Sequence, residues 1–201
     1  MSCPMHINTG ELTHDIRQAE LPKGSKGYQL GDFAARHFAG IKNSLRPVLI
    51  LADTAHAVMG TTLMTSLTRG IHQTLSIPLW TPAMPKAYRI RKQLRSRITA
   101  KPDKVVYFPS CINQTMGLAR KSPEEMALVD KMVSLLQKGG FEVIFPDNMD
   151  KLCCGTIWES KGMMDIADRK SKELEEALWK ASEEGRYPVL CDQSPCLHRM
   201  R

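Results

Sequence analysis

Five cysteines in the second half of the sequence have the residue type and spacing to do chemistry. They are a lone cysteine, an adjacent pair followed by glycine, and a final pair: Cys111, Cys153, Cys154, Cys191 and Cys196. Clustered thiolates are the ligands of iron–sulfur centres and of structural zinc. With six cysteines in 201 residues, the chain has too few for a disulfide scaffold. We therefore interpret them as metal ligands, redox groups or core residues.

Each group of cysteines follows a short run of strand-forming residues. The predicted strands are at 105–108, 141–145 and 188–190, and the predicted helices between them are at 122–138 and 162–184. Connections of this length imply parallel strands with right-handed crossovers. Because the carboxyl ends of parallel strands share one edge, all five cysteines should reach one rim, where open α/β sheets bind ligands. The sequence predicts a small three-layer α/β unit.

The first helix of this unit has start and stop signals in the sequence. Ser122 can accept from free N–H groups, Pro123 fits the first turn, and Glu125 completes a capping box. Gly139 and Gly140 then end the helix.

The number of thiols favours an iron–sulfur centre, because structural zinc is almost always four-coordinate. Adjacent Cys153 and Cys154 could ligate two metals of one cluster, and Gly155 would let the backbone turn tightly beside it. Two alternatives stay open. Some of the cysteines could be buried apolar residues, above all Cys191, which can still belong to its strand. A dithiol/disulfide active site is the other alternative.

The first half of the chain has a helical pattern and no evident catalytic constellation. Residues 1–15 form a short polar start. Apolar residues recur at helical spacing over 28–43 and 48–75, with Pro47 expected in a first helical turn. The fold class predicted for the whole chain is therefore α/β: a helical N-terminal half followed by the parallel sheet.

The charge pattern singles out one segment. The formal net charge is +7, and residues 86–104 contain eight Lys and Arg against Asp103 alone, so they account for the whole excess. We interpret this segment, with a helix at 86–98, as a solvated connector that can also contact an anionic membrane surface. Nucleic acid is not expected as a partner, because no aromatic residues are interleaved with the charges.

Targeting and membrane signals are also absent from the sequence pattern. No run of 18 uncharged apolar residues exists, and the closest segment, 48–67, contains Asp53 and His56. The sequence therefore predicts no membrane-spanning helix. The start of the chain has no basic or apolar region of a signal peptide, so a cytoplasmic location is expected.

The cysteine motifs resemble those of a known family. Residues 107–111 (YFPSC), 153–155 (CCG) and 191–196 (CDQSPC) resemble one unit of the cysteine-rich CCG domain. That domain occurs in the cysteine-rich subunit of heterodisulfide reductase and in iron–sulfur subunits of glycolate and glycerol-3-phosphate oxidases. The closest likeness is to the C-terminal region of bacterial FAD-linked D-lactate dehydrogenases. Cys3-Pro4 is similar to the end of a bacterial ferredoxin motif, whose other three cysteines are not in this sequence.

This resemblance implies a fragment with three segments. They are a ferredoxin remnant at 1–15, a helical connector at 16–100 and a CCG unit at 101–201. The implied metal ligands are the five cysteines and Cys3, with Gly155 beside the cofactor. One departure stands out: the last two cysteines are spaced C-x4-C, whereas the CCG-containing subunit of heterodisulfide reductase has CxxC.

The implied function is the iron–sulfur, electron-transfer part of an FAD-dependent D-lactate or 2-hydroxy-acid dehydrogenase. FAD would be held by the flavin domain of the parent chain, and electrons would pass to a membrane quinone or cytochrome at the inner face of the membrane. This chain alone is not expected to turn over substrate. The alternatives are a thiol–disulfide reductase module related to heterodisulfide reduction and a non-catalytic zinc-binding interaction domain.

Overall fold

A computed structural model describes residues 9–75, 79–90 and 103–200 of the chain. Cys3 and most of the basic segment, 91–102, lie outside these residues. The described helices are α1 (Thr9–Glu20), α2 (Lys26–Arg36), α3 (Phe38–Leu75), α4 (Leu128–Lys138), α5 (Thr156–Glu159), α6 (Met164–Ala181) and α7 (Ser194–Arg199). The described strands are β1 (Pro85–Ala87), β2 (Asp103–Phe108), β3 (Met116–Ala119), β4 (Phe141–Ile144) and β5 (Val189–Cys191).

The predicted α/β class is confirmed. A long helical region precedes a small parallel sheet of three strands in the order β4-β2-β5. In the parallel pair β2 and β5, Val106 lies opposite Val189 and Phe108 lies opposite Cys191. These strands coincide closely with the three predicted from the sequence, so their carboxyl ends share one edge as expected.

Two compact units interleave along the chain, and the three segments predicted from the sequence stay a prediction. The first contains residues Met1–Ile41, Val105–Ser110 and Ile144–Arg201, and the second contains Lys42–Lys104 and Cys111–Val143. The core of the first unit is a cluster of buried side chains: Val106, Phe108, Leu152, Cys154, Leu174 and Leu178.

In the first unit, α5 is fixed by contacts of one buried tryptophan. Trp158 donates through Nε1 to the carbonyl of Gly31 in α2 at 2.9 Å. Its ring meets that of Phe38 edge-on, with 5.6 Å between centroids. Neither α5 nor α7 is predicted from the sequence, because four and six residues are too few for a periodic pattern.

The capping box predicted at Ser122 does not start a helix. Ser122 Oγ instead accepts a hydrogen bond from Glu124 N at 3.2 Å in a local turn. Helix α4 begins at Leu128, and Tyr88 donates to Asp130 in its first turn at 2.6 Å. The start is therefore fixed by a long-range contact, whereas the end at Gly139 agrees with the prediction.

The helix predicted at 86–98 is wrong where the structure describes it. Residues 85–87 form β1, which pairs antiparallel with β3, and Tyr88 N continues the pairing to Thr115 O at 2.8 Å. Pro85 confines the residue before it to extended backbone, which favours a strand over a helix start. The rest of the predicted helix lies outside the described residues.

One prediction for the N-terminal half is also wrong: Pro47 lies inside α3 and not in a first turn. Residues 9–15 of the predicted polar start belong to α1, which begins at Thr9. The turn that precedes Pro47 is held by contacts from Lys42 to Gln114 Oε1 at 2.7 Å and from Arg46 to Gln114 O at 3.0 Å. These bonds offset the helical hydrogen bond that proline cannot donate.

The sequence predicted no membrane-spanning helix. Among the described residues, however, one helix is long and apolar enough to cross a membrane, by length and composition alone: Phe38–Thr74 within α3. Of its apolar window, 17% is buried. The backbone of α3 breaks at Gly60, where φ is 73°.

Candidate functional site

Four cysteines meet in the first compact unit. Cys153 and Cys154 lie in the loop between β4 and α5, Cys191 ends β5, and Cys196 lies in α7. Cys154 belongs to the buried core, and Cys191 and Cys196 pack against that core. All four are free thiols. The parallel sheet therefore brings together thiols that are up to 43 residues apart, as the sequence predicts.

The four thiols form a hydrogen-bonded chain in the order Cys153, Cys154, Cys196, Cys191. Hydrogen bonds from Cys153 and then Cys196 lower the pKa of Cys154 to about 2, against the penalty of burial. Thr156 adds a further contact, with its Oγ1 3.2 Å from Cys154 Sγ. Cys154 is therefore a thiolate at neutral pH, which is the form that binds metals and attacks disulfides.

Cys196 has the opposite character. Its single proton is shared between the sulfurs of Cys154 and Cys191; the interaction with Cys154, then that with Cys191, and then burial raise the pKa of the Cys196 thiol. The hydrogen bond from Cys196 also lowers the pKa of Cys191. The site thus keeps a proton on the central thiol while thiolate character develops on its two neighbours.

Gly155 has the local geometry expected of it. Its φ is 92°, and a Cβ there would lie 3.0 Å from the Cα and from the carbonyl carbon of Ala167 in α6. Both the left-handed backbone and this close approach require glycine. Whether Gly155 also lies beside a bound cofactor stays a prediction.

Asp192 is a functional residue that the sequence pattern did not single out. Its carboxylate accepts from Tyr107 Oη at 2.9 Å and from Ser110 N at 2.8 Å. These bonds join the carboxyl end of β2 to that of β5, next to Cys191. The available signal was the position of Asp192 directly after a strand, at the edge where sites form.

Cys111 and Cys3 stand apart from this description. Cys111 lies in the turn after β2, is half-buried, and its carbonyl accepts from Thr115 Oγ1 at 2.9 Å. It belongs to the second compact unit, so its membership of a common ligand set stays a prediction. Cys3 lies outside the described residues, and its ligand role also stays a prediction.

Metal binding depends on the donor side chains that the site offers. Across the ranges that the structure describes, no three His, Cys, Asp or Glu side chains are arranged to hold a single metal ion. The chemistry of the thiol set nevertheless fits a soft metal or an iron–sulfur cluster, since Cys154 is already deprotonated. Cluster ligands bind different iron atoms and need not converge on one point.

A mostly apolar cavity of about 340 Å³ opens beside the thiols in the same unit. Cys191 lines it together with Leu178, Trp179, Val189, Leu197 and Met200. A flat apolar group in this cavity would contact the Cys191 side of the site.

No family model, curated protein or solved structure shows a significant match to this chain. The likeness to the CCG domain therefore rests on the cysteine motifs themselves.

Proposed function

We propose that this chain is the iron–sulfur, electron-transfer part of an FAD-dependent D-lactate or 2-hydroxy-acid dehydrogenase. The observation that carries the proposal is the grouping of Cys153, Cys154, Cys191 and Cys196 at the carboxyl edge of a parallel sheet. The cysteine motifs and their order support it. Cys111 and Cys3 complete the ligand set that the sequence predicts.

A bound cluster would supply one-electron transfer at this edge. The chain's own residues would hold it and set its surroundings. Cys154 offers a thiolate with no proton to release, and the hydroxyl of Thr156 contacts its sulfur. Asp192 and Gly155 fix the two loops that carry the thiols, and the buried side chains beneath Cys154 limit the access of water.

The proposal needs partners at both ends of the electron path. The flavin domain of the parent chain would hold FAD, oxidise the hydroxy acid and deliver electrons. A membrane quinone or cytochrome would accept them. The cavity beside Cys191 supports an apolar acceptor, because a flat ring there would approach a ligand sulfur without displacing the core.

The test is anaerobic purification followed by analysis of iron and acid-labile sulfide, with paramagnetic resonance of the reduced protein. We expect iron and sulfide in the wild type and their loss in Cys154→Ser. Ser134→Ala, a change on α4 away from the cysteine loops, is the control and should keep the metal. Absence of iron and sulfide would contradict the proposal. About one zinc per chain without visible absorbance would favour the interaction module.

A second candidate is a thiol–disulfide reductase, favoured by the thiolate of Cys154 beside the protonated thiol of Cys196. Cys154 would attack one sulfur of a substrate disulfide, breaking its S–S bond and releasing a thiolate. Cys196 would give its proton to that thiolate and attack the mixed disulfide. The products are one substrate thiol, one substrate thiolate that takes its proton from water, and one protein disulfide, so two electrons pass from protein to substrate.

Serine substitutions separate the two candidates. In the reductase, Cys154→Ser or Cys196→Ser abolishes single-turnover reduction of a small disulfide, and metal content does not change. In the iron–sulfur module, the same variants lose iron, and the metal-free wild type reduces no disulfide catalytically.

A further inference from the structure

Helix α3 exposes large apolar side chains along one side. The side chains of Val58, Leu51, Val48, Leu63 and Leu67 have exposed fractions of 83, 71, 60, 57 and 50%. Large apolar side chains repeated on one face of a helix mark an interaction surface, whereas isolated ones need no explanation. We call this set the outer face of α3.

The opposite side of α3 packs against protein and carries both polar and apolar side chains. Lys42 and His56 are buried there, with exposed fractions of 2 and 8%, as are Leu49 and Met64 at 6 and 7%. Lys42 donates to Gln114 Oε1, and Arg120 makes a two-bond ion pair with Asp53 at 2.8 and 2.9 Å. Buried polar groups and exposed large apolar side chains on one helix depart from the usual arrangement on a water-soluble protein.

Several threonine hydroxyls of α3 bond back to their own helix. Thr65 donates to the carbonyl four residues earlier at 2.7 Å, Thr68 does so at 2.8 Å, and Thr74 does so at 3.2 Å. Threonines that bond back to their own helix lose little when water is removed around them. These three polar side chains are thus compatible with an apolar medium.

The compact unit that carries most of α3 is also the basic part of the chain. Residues Lys42–Lys104 and Cys111–Val143 contain fifteen Lys and Arg against six Asp and Glu, a net charge of +9. The rest of the chain has a net charge of −2, because the total is +7. A cationic unit with an exposed apolar helix complements an anionic lipid surface better than it complements another copy of the same cationic unit.

We propose that α3 is an interfacial membrane anchor, whose outer face enters the headgroup region of an anionic bilayer with the helix lying along the surface. The contacts of Lys42 with Gln114, of Asp53 with Arg120 and of His56 with Trp80 hold the inner side against protein and leave the outer face for lipid. The break at Gly60 divides the apolar stretch into two shorter pieces, which fits a helix lying on a membrane better than one crossing it. This anchor does not depend on the iron–sulfur proposal.

The test is flotation of the full chain with vesicles of phosphatidylglycerol and phosphatidylcholine, and with phosphatidylcholine alone. We expect binding to the anionic vesicles that weakens as salt rises, and little binding to the neutral ones. The double variant Leu51→Gln/Val58→Gln should bind at least about tenfold more weakly, since each buried apolar side chain contributes roughly tenfold to partitioning. Leu135→Gln on α4 is the matched control, with a similarly exposed leucine (63%), and should bind as the wild type does.

Three results would overturn the anchor. One is equal flotation of the double variant and the wild type, with circular dichroism confirming that both are folded. Another is a wild-type dimer in light scattering that the double variant converts to monomer without any vesicle binding, because a second copy would then cover the outer face. The third is resistance of bound chain to both high salt and alkaline washing, which would indicate a helix that crosses the bilayer.

Discussion

The carboxylate of Asp192 accepts a hydrogen bond from the phenol of Tyr107, with 2.9 Å between the oxygens, across a separation of 85 residues. Its other oxygen accepts from the backbone N–H of Ser110 at 2.8 Å. The side chain of Tyr107 is fully buried, so this hydrogen bond satisfies its hydroxyl away from water. One carboxylate therefore ties together the ends of the two strands that lead into the cysteine loops.

Replacing Asp192 by asparagine should destabilise the first compact unit. Asparagine carries no charge: its oxygen would accept from Ser110 N, and its amide group could only donate to Tyr107 Oη, whose own proton would then lose this acceptor. Hydrogen bonds to charged groups contribute about 1.5–3 kcal/mol, so we expect Asp192→Asn to lower the free energy of unfolding by about 2 kcal/mol. Urea denaturation of the reduced, metal-free chain measures this change.

Asp147→Asn provides the matched control for the Asp192 experiment. Asp147 pairs with Lys180 at 3.3 Å, and both side chains are 78% exposed. Exposed ion pairs contribute little, so this variant should unfold within about 0.5 kcal/mol of the wild type. Equal losses of unfolding free energy in the two variants would show that Asp192 stabilises the protein no more than an exposed carboxylate does.

The sequence predicted the strands because runs of strand-forming residues are a local signal. It predicted the meeting of the cysteines because parallel strands place their carboxyl ends at one edge. It did not predict the role of Asp192, whose partners are set by strand pairing and not by neighbours in sequence. The capping box at Ser122 failed for a related reason: a long-range contact to Asp130 determines where α4 starts. The periodicity of 48–75 predicted a helix but could not show which medium its apolar side faces.

Replacing Gly155 by alanine should be far more costly than the same change at Gly24. Both residues have positive φ, 92° and 96°, so each alanine adds the strain of a left-handed backbone. Only at Gly155 would the new Cβ also collide with the backbone of Ala167, since nothing lies within 4 Å at Gly24. We expect a loss of about 1 kcal/mol for Gly24→Ala and more than about 3 kcal/mol for Gly155→Ala. Thermal unfolding of both variants measures the difference. Similar shifts in melting temperature would contradict the close approach of Gly155 to the backbone of Ala167.

The contact between Tyr28 in α2 and Asp165 in α6 should make stability depend on pH at both extremes. Burial, and then the hydrogen bond that it donates to Asp165, raise the pKa of Tyr28 to about 12 from 10.0. The same hydrogen bond lowers the pKa of Asp165. The tyrosine contribution is fully present below pH 10 and is lost as the pH rises toward 12, whereas the aspartate contribution is lost as the pH falls below about 4.

Tyr28→Phe tests both arms of this pH dependence. The variant should lose less stability than the wild type between pH 10 and 12, because phenylalanine has no proton to release in the unfolded chain. It should also lose less on acidification, because Asp165 no longer has the hydrogen bond that lowered its pKa. Urea midpoints measured across the pH range give the difference between the two proteins. If the urea midpoints of the two proteins changed in parallel at both pH extremes, the coupling between Tyr28 and Asp165 would be ruled out.

A thiolate should be present in the folded, reduced, metal-free chain at neutral pH. Hydrogen bonds from Cys153 and Cys196 lower the pKa of Cys154 to about 2, so its proton is lost on folding at pH 7. We expect thiolate ultraviolet absorbance equivalent to about one group per chain, which disappears on unfolding in urea, where the pKa returns to about 8.5. Cys154→Ser should remove the signal, and Cys196→Ala should shift its titration to higher pH because a donor is lost. Native protein with no such absorbance, or an unchanged signal in Cys154→Ser, would contradict the hydrogen-bonded thiol chain on which both candidate functions depend.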